Sequence, residues 1–218
     1  MGTTTDKLNH LINIKEGIRQ EINWIYYNKE GVVNDGIDES ATFNSYIQKL
    51  EENPFYEKAF IEGSLYGIKV SNITKLDMYA FKEFINLKEV SFPNVVEIEG
   101  SDNRFANGTG AFNGCGNLRG ASFPIVQTIG GRAFQDCYLR EAKFPLCQYI
   151  GYRAFGGCRN LIAIYVGTST STVCTLKNTN AFNGCDSLTS IYVPSSLVNS
   201  YKSATNWSEY ASIIKAAP

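Results

Sequence analysis

Apolar residues recur along this chain at a spacing that predicts a repeat structure. The dipeptide Ala-Phe occurs six times, at intervals of 21, 31, 22, 21 and 27 residues, and a leucine follows each copy. Two intervals exceed the base period of about 21–22 residues and indicate insertions within repeats, at Gly100–Gly110 and Gly167–Thr172. The six copies are Ala59-Phe60, Ala80-Phe81, Ala111-Phe112, Ala133-Phe134, Ala154-Phe155 and Ala181-Phe182.

Within each repeat, apolar and polar positions alternate as they do in a short strand. The motif Leu-x-x-Ile/Val/Ala-x-Phe/Val places alternate side chains on one face. Proline follows in four repeats and ends the strand, because it cannot donate to a β-ladder. A second short extended piece and a Gly-rich turn lead to Ala-Phe-x-x-Cys, which we predict to be a helical turn. One repeat cannot bury its own apolar face, so stacked repeats must share one core.

Residues 59–194 resemble the BspA-type leucine-rich repeat family. The features that carry the resemblance are Ala-Phe-x-x-Cys-x-x-Leu, a Phe-Pro step, and Ile-Gly before Ala-Phe. Residues 111–118 are the fullest copy, whereas Gly63 and Phe84 replace the cysteine in the first two repeats. The resemblance implies an α+β repeat fold, a leucine-rich-repeat solenoid of about six repeats over residues 58–194.

Residues 195–218 are predicted to form a C-terminal helical cap over the last repeat, as an open solenoid requires. The apolar residues of this segment have roughly helical spacing. They are Leu197, Val198, Tyr201, Trp207, Tyr210, Ile213 and Ile214.

Residues 1–57 are predicted to form a helical segment for assembly or anchoring. A first helix, capped by Asp6, is expected to reach about Trp24–Tyr27, and a second to cover Phe43–Glu52. A heptad spacing on the first helix, with isoleucine at both kinds of core position, favours a homotrimer. Packing of an amphipathic helix on its own chain is the alternative. The candidate oligomerisation residues are Leu8, Leu11, Ile18, Ile22 and Ile25.

Part of this segment also resembles a short module of phage and prophage tail and fibre proteins. The matching stretches are residues 15–22, Gly31-Val32-Val33 and residues 43–50. The resemblance implies that this end assembles or anchors the protein while the repeats are displayed.

Charge and composition exclude several functions. The net charge is −1, with 5 basic and 10 acidic residues in residues 1–57, so electrostatics give no argument for nucleic acid. No run approaches the ~18 apolar residues of a membrane helix, and the polar start has no signal-peptide pattern. His10 is the single histidine, which excludes most histidine-dependent catalysis. We therefore expect no enzyme activity, catalytic residue, cofactor or metal.

The six cysteines are predicted to be reduced thiols packed in the core. They contain no Cys-x-x-Cys pair of the kind that binds zinc. Four occupy one repeat position, where Phe84 and Gly63 also occur, which favours a column of small buried side chains. A disulfide ladder is the alternative. The six are Cys115, Cys137, Cys147, Cys158, Cys174 and Cys185.

Strand residues that face away from the core should form rows across the repeats and give a binding face. Solenoids bind ligands on such sheets, and tyrosine and arginine are favoured contact residues. A solvated sheet is the alternative, and the two insertions are a second candidate surface. The candidate binding residues are Tyr66, Lys69, Lys88, Arg119, Arg140, Lys143, Tyr165 and Tyr192.

These features predict a non-enzymatic phage virion fibre or adhesin-like protein, made in the bacterial cytoplasm. It would present the repeats to a host surface or to other virion or surface proteins. The alternative is a BspA-like adhesin of the bacterial cell surface that binds a host protein or glycan.

Overall fold

The computed structural model describes Ile22–Tyr27, Val32–Val33, Leu65–Val70, residues 74–103, residue 105 and residues 110–218. Within these residues the chain forms fourteen strands and one α-helix, α1 (Val198–Ser203). The strands are β1 (Ile22–Tyr27), β2 (Val32–Val33), β3 (Leu65–Val70), β4 (Lys75–Leu76), β5 (Glu89–Ser91), β6 (Glu97–Ile98), β7 (Gly120–Ser122), β8 (Thr128–Ile129), β9 (Glu141–Phe144), β10 (Tyr149–Ile150), β11 (Ala163–Val166), β12 (Thr175–Leu176), β13 (Ser190–Val193) and β14 (Ile214–Ala216).

The strands form two sheets, and each full repeat gives one strand to each sheet. The described part of the large sheet has the order β14-β13-β11-β9-β7-β5-β3-β1-β2, and the small sheet has the order β12-β10-β8-β6-β4. All pairs between repeats are parallel. Alternate residues of β9 are exposed and buried, which confirms the predicted two-residue period. The predicted leucine-rich repeat fold is therefore observed.

Phenylalanine side chains form a continuous stack through the core between the two sheets. Phe112, Phe134 and Phe155 are fully buried, and neighbouring rings are stacked at centroid distances of 5.2 and 5.5 Å. The stack extends to Phe81 at 5.2 Å and to Phe182 at 5.6 Å. Each of the five Ala-Phe dipeptides that the structure describes thus contributes one ring, and the repeat period becomes the period of the core.

The Ala-Phe-x-x-Cys segments are single hydrogen-bonded turns, in which the cysteine N–H donates to the phenylalanine carbonyl, as at Cys115 and Phe112 at 3.1 Å, and a short 3-10 helix occurs at Thr179–Phe182. The residue before the cysteine position has a positive φ in every described repeat, from 58° at Asp136 to 77° at Gly114 and Gly184. A left-handed residue ends a right-handed helical turn, and glycine adopts this conformation with little strain. This geometry explains why glycine occupies the position in three of the five repeats.

The C-terminal segment differs from the predicted helical cap. Only α1 is α-helical, two 3-10 turns flank it at Ser195–Leu197 and Ser208–Tyr210, and β14 then adds a parallel strand beside β13. Tyr201 and Trp207 are buried with their rings 5.2 Å apart, and the indole N–H donates to the Cys174 carbonyl at 2.6 Å. The segment closes the core, but it ends by continuing the sheet.

The N-terminal prediction is corrected at residues 22–27. Ile22 and Ile25 lie in β1, which pairs antiparallel with β3, and not in a helix that reaches Tyr27. The stretch Ile-Asn-Trp-Ile-Tyr-Tyr is rich in β-branched and aromatic residues, and the edge of the large sheet supplies its hydrogen-bond partner. These two residues therefore cannot extend a helical heptad seam. Leu8, Leu11 and Ile18 lie outside the described residues, and the homotrimer stays a prediction.

Across the described ranges, no helix has the length and apolar character needed to cross a membrane.

Candidate binding surface

One row of side chains crosses the outer face of the large sheet, and we call it the outer row. The strand register aligns Ser122 with Lys143, Lys143 with Tyr165, and Tyr165 with Tyr192. The residues on either side of the row in each strand are mostly buried, so these side chains face away from the core. The outer row comprises Ser91, Ser122, Lys143, Tyr165, Tyr192 and Lys215, and the backbone register pairs Lys69 of β3 with Ser91 at its N-terminal end.

The C-terminal half of the outer row forms a ladder of a cation and two aromatic rings. The Tyr165 and Tyr192 rings are stacked with centroids 4.6 Å apart, and the Lys143 ammonium lies 5.0 Å from the Tyr165 centroid. Both faces of the Tyr165 ring are therefore covered, while its edge and hydroxyl remain on the surface. Neither phenol hydroxyl has a hydrogen-bond partner in the part of the chain that the structure describes.

Lys143 is held in this position by a neighbouring carboxylate. Its Nζ lies 2.9 Å from Oε1 of Glu141. The hydrogen bond to Glu141 and the charge of that carboxylate raise the pKa of Lys143 above its ordinary value, so the side chain is cationic at neutral pH. Because both groups are well exposed, this ion pair adds little to folding stability, and its main effect is to orient the ammonium.

Lys215 completes the outer row, and the sequence analysis did not include it. It pairs in register with Tyr192, and its Nζ donates to Oγ of Ser190 at 2.7 Å. The sequence analysis missed Lys215 because it predicted a helix for residues 195–218. The pair Ile213-Ile214 could have indicated a strand there, since β-branched side chains suit a strand.

A second row, which we call the edge row, lies where the strands of the large sheet begin. Backbone hydrogen bonds link Arg119 to the Lys88 carbonyl at 2.8 Å and Ile162 to the Arg140 carbonyl at 2.8 Å. The Arg119 guanidinium lies 5.3 Å from the Tyr138 ring centroid. Tyr66 of β3 precedes Gly67, the register partner of Glu89, and so belongs to the same row. The edge row is Tyr66, Lys88, Arg119, Arg140, Ile162 and Thr189.

The outer face of the small sheet has a different charge pattern. Its single row contains Lys75, Glu97, Thr128, Tyr149 and Thr175 in register. The Lys75 ammonium contacts two carboxylates, Glu99 at 2.5 Å and Glu97 at 3.3 Å. The hydrogen bond that Lys75 donates to Glu99 raises the pKa of Lys75. Charges on this face are thus neutralised by neighbours within the chain.

The first predicted insertion is a loop anchored to the small-sheet side of the repeats. Gly100 and Gly110 form an antiparallel bridge that closes it. Asp102 accepts hydrogen bonds from the Tyr149 hydroxyl and from the Tyr152 N–H at 2.6 Å. The buried guanidinium of Arg132 donates to the carbonyls of the loop residues Ser101 and Asn103 at 3.0 and 2.9 Å. The base of the loop is therefore rigid, and the exposed Phe105 lies beyond it.

The second predicted insertion leaves the repeat through a tight turn at Gly167. Gly167 has a φ of 57°, and the Thr170 hydroxyl donates to the Gly167 carbonyl at 2.8 Å. Neither insertion contributes a residue to the outer row or the edge row.

Six copies of the BspA type leucine rich repeat region match residues 38–109 and 106–214. The chain belongs to this family. The match begins at residue 38, within the segment for which the sequence analysis predicted an assembly function. No curated protein matches the chain.

Solved structures with similar chains include leucine-rich repeat proteins of two organisms. A T. pallidum protein is 23% identical with a TM-score of 0.47, over 60% of this chain and 65% of that one. A cell surface protein of Faecalibacterium prausnitzii is 24% identical with a TM-score of 0.48, over 70% of this chain and 35% of that one. The chain thus spans less than two thirds of either protein. At these identities and TM-scores, the similarities give no information about function.

The cysteines of the BspA-type repeats are buried thiols that bond neighbouring repeats. All six are free and buried. The thiol of Cys158 donates to the Phe134 carbonyl of the preceding repeat at 3.0 Å, and that of Cys185 donates to Phe155 at 3.0 Å. Cys115 and Cys137 make the same bond at 2.9 and 3.2 Å. The prediction of reduced structural thiols agrees with this ladder.

Burial has the largest effect on the acidity of these thiols. It raises the pKa of Cys185 to about 12 and that of Cys158 further. A protonated thiol is a poor nucleophile and a poor metal ligand. No group of three or more His, Cys, Asp or Glu side chains is placed to hold a metal ion within the described ranges.

Proposed function

We propose that this chain is a non-enzymatic binding protein of a bacterial cell surface, an adhesin that attaches to a host protein or glycan. The single observation that carries the proposal is the outer row, in which strand register brings Lys143, Tyr165, Tyr192 and Lys215 together on one exposed face. Tyrosine and cationic side chains at fixed spacing are typical of protein recognition surfaces. Membership of the BspA-type family supports a binding role, since solenoids use extended sheet surfaces to bind partners.

The distribution of polar groups favours the large sheet over the small sheet as the binding face. On the small sheet, Lys75 is already paired with Glu97 and Glu99, and Tyr149 donates its hydroxyl to Asp102. On the large sheet, the hydroxyls of Tyr165 and Tyr192 make no hydrogen bond within the described residues and can therefore bond to a partner. A partner that bonds to these two hydroxyls therefore gains hydrogen bonds without breaking existing ones.

The phage fibre interpretation is not part of this proposal. It depended on residues 15–50, and the family match already includes the part of that stretch from residue 38 onwards. The strand β1 further replaces the end of the helix on which the assembly function was based.

The proposal is tested by adherence of the purified full chain, coupled to fluorescent beads, to a cultured epithelial monolayer. The double variant Tyr165→Ser and Tyr192→Ser removes the stacked rings from the exposed face and should lower adherence to the level of uncoated beads. The matched control is Thr128→Ala with Thr175→Ala, on the outer face of the small sheet, and it should adhere like the original protein. Circular dichroism must show native folding for both.

Equal adherence of the two double variants would contradict the assignment of the binding face. No adherence of the original protein above uncoated beads would contradict the adhesin proposal itself.

A further inference from the structure

Two of the six cysteines do not bond to the preceding repeat in the way that the others do, and they contact each other instead. Cys147 and Cys174 directly precede the neighbouring positions of β10 and β12 in the small sheet. Their sulfur atoms are 3.9 Å apart, which is direct contact, and both side chains are buried. The other four, which we call the ladder cysteines, donate to phenylalanine carbonyls and are Cys115, Cys137, Cys158 and Cys185.

Packing does not require sulfur at the position of Cys147. In the two preceding repeats the same position holds Val95 and Val126, and all three side chains are fully buried. The backbone N–H of each donates to the carbonyl of the phenylalanine three residues earlier, which shows that the three positions are equivalent. Valine thus fills this column of the core where it stands alone. The two thiols meet where Cys174 follows the second insertion.

The backbone geometry permits a disulfide between the two residues. Tyr149 pairs in register with Thr175, and the Thr175 N–H donates to the Gln148 carbonyl at 2.8 Å, so Cys147 and Cys174 are offset by one residue on adjacent strands. The usual strand spacing and rise per residue then give a Cα–Cα distance of about 6 Å. Disulfides span about 4.4–6.8 Å between these atoms. Side-chain rotation can bring the sulfur atoms to bonding distance without a change of fold.

Cys174 also holds the C-terminal segment in place. Its N–H donates to the Tyr201 hydroxyl at 2.9 Å, and its carbonyl accepts the Trp207 indole N–H at 2.6 Å. Both aromatic side chains are buried. Terminal units of a solenoid have a neighbour on one side only and open most easily. A covalent bond from Cys174 to Cys147 would therefore secure the end of the solenoid that is otherwise held by packing and hydrogen bonds.

We propose that Cys147 and Cys174 are an oxidation site, at which an external disulfide of a small thiol or of an oxidoreductase creates an intrachain disulfide. The thiolate of one cysteine attacks the external disulfide, which forms a mixed disulfide and releases one external thiol. The thiolate of the other cysteine attacks the protein sulfur of the mixed disulfide and releases the second external thiol. Two protein thiols are thereby oxidised, one external disulfide is reduced, and the two protons pass to the released thiols.

The reaction belongs to the folding stage of the chain. Burial raises the pKa of Cys174, and its hydrogen bond with Cys147 raises it further, so the folded, reduced chain holds a protonated and shielded thiol. In the unfolded chain both thiols are accessible, and folding then brings them together. External disulfides are abundant outside the bacterial cytoplasm, as at the cell surface proposed above. The inference itself concerns the chain alone and does not depend on that location.

The test refolds the full chain from urea in mixtures of reduced and oxidised glutathione. Free thiols are then trapped with N-ethylmaleimide in denaturant, and peptides are mapped by mass spectrometry. A single disulfide that joins Cys147 to Cys174 is expected, with the ladder cysteines alkylated. The oxidised chain should melt about 5–10 °C above the reduced chain, because the bond closes a loop of about 28 residues.

A matched pair of variants separates this site from general thiol oxidation. Cys147→Val restores the residue of the two preceding repeats, and it should abolish both the disulfide and the difference in Tm between oxidising and reducing conditions. The control Cys158→Ala removes one ladder cysteine and should keep both. Peptide mapping of the original chain decides the question even where a variant does not fold.

Three outcomes would overturn the inference. They are a disulfide among the ladder cysteines in place of the expected one, a glutathione adduct without the intrachain bond, and alkylation of all six cysteines after refolding at every glutathione ratio. An equal rise in Tm for Cys147→Val under oxidising conditions would also contradict it. None of these measurements uses adherence, so the proposed function and this inference are tested separately.

Discussion

Replacement of Phe134 by alanine tests whether the phenylalanine stack is what stabilises the repeats. Phe134 is fully buried and lies near the middle of the stack, with Phe112 at 5.2 Å on one side and Phe155 at 5.5 Å on the other. Its ring also contacts Phe123 and Phe144, each at 5.8 Å. The variant therefore opens a cavity that is bordered by four buried phenylalanine rings.

The expected loss is large because the cavity cannot collapse. Phe→Ala in a packed core lowers the free energy of unfolding by about 3–5 kcal/mol, and the loss of two stacked contacts places Phe134 at the upper end, about 4–5 kcal/mol. For a chain of this length that corresponds to a fall in Tm of about 10–20 °C. Phe182, which is 4% exposed and stacks on Phe155 alone among the phenylalanines, should lose less, about 3 kcal/mol.

Urea unfolding followed by far-ultraviolet circular dichroism measures these losses. Phe105→Ala is the matched control, because Phe105 is 78% exposed and should change stability by no more than about 0.5 kcal/mol. If Phe134→Ala does not fold, Phe134→Leu keeps most of the volume and should lose about 1–2 kcal/mol. A loss for Phe134→Ala no greater than that of Phe105→Ala would refute the reasoning.

Two further predictions concern the insertion and the thiols. A Cβ at Gly130 would lie 2.3 Å from the Gly100 nitrogen, whereas one at Gly116 meets nothing within 4 Å. In thermal melts, Gly130→Ala should therefore lower Tm strongly, whereas Gly116→Ala should leave Tm unchanged. Equal Tm values for the two variants would contradict the close packing of the insertion. Burial raises the pKa of Cys185 from 9.0 to about 12, so its contribution to stability is full below pH 9 and declines as pH rises towards 12. The free energy of unfolding should fall over that range, less so in Cys185→Ala, and iodoacetamide should label the folded chain at pH 8 only after denaturant is added.

The repeat part of the fold was predictable because one pattern recurs with two periods. The 21–22-residue period set the stacking of repeats, and the two-residue alternation in segments such as Glu141–Phe144 set which side chains face the core. These two facts suffice to place Lys143, Tyr165 and Tyr192 in one row. Their contacts, such as the stacking that covers both faces of Tyr165, depend on side-chain conformations that the sequence pattern does not determine.

The two ends were predicted less well because there the pattern occurs once. The stretches Ile22–Tyr27 and Ile214–Ala216 contain β-branched residues whose spacing also suits a helix. An open sheet edge next to each stretch decides the outcome, since strand pairing satisfies backbone groups on both partners. The position of that edge depends on the tertiary structure, which the local sequence does not show. The incorrect helix prediction for the C-terminal stretch also left Lys215 out of the predicted binding residues.

The separation between core and surface rows explains how one repeat can carry a specific function. Core positions tolerate little change, as the stacked Phe112, Phe134 and Phe155 show, because each ring contacts the next repeat. The outer row has no such constraint and changes from serine on β5 and β7 to lysine and tyrosine on β9 to β14. The backbone fixes the spacing of the row, while its side chains vary from repeat to repeat. If the row is the binding face, as we propose, the change at Lys143 predicts that the C-terminal half of the sheet contacts the partner.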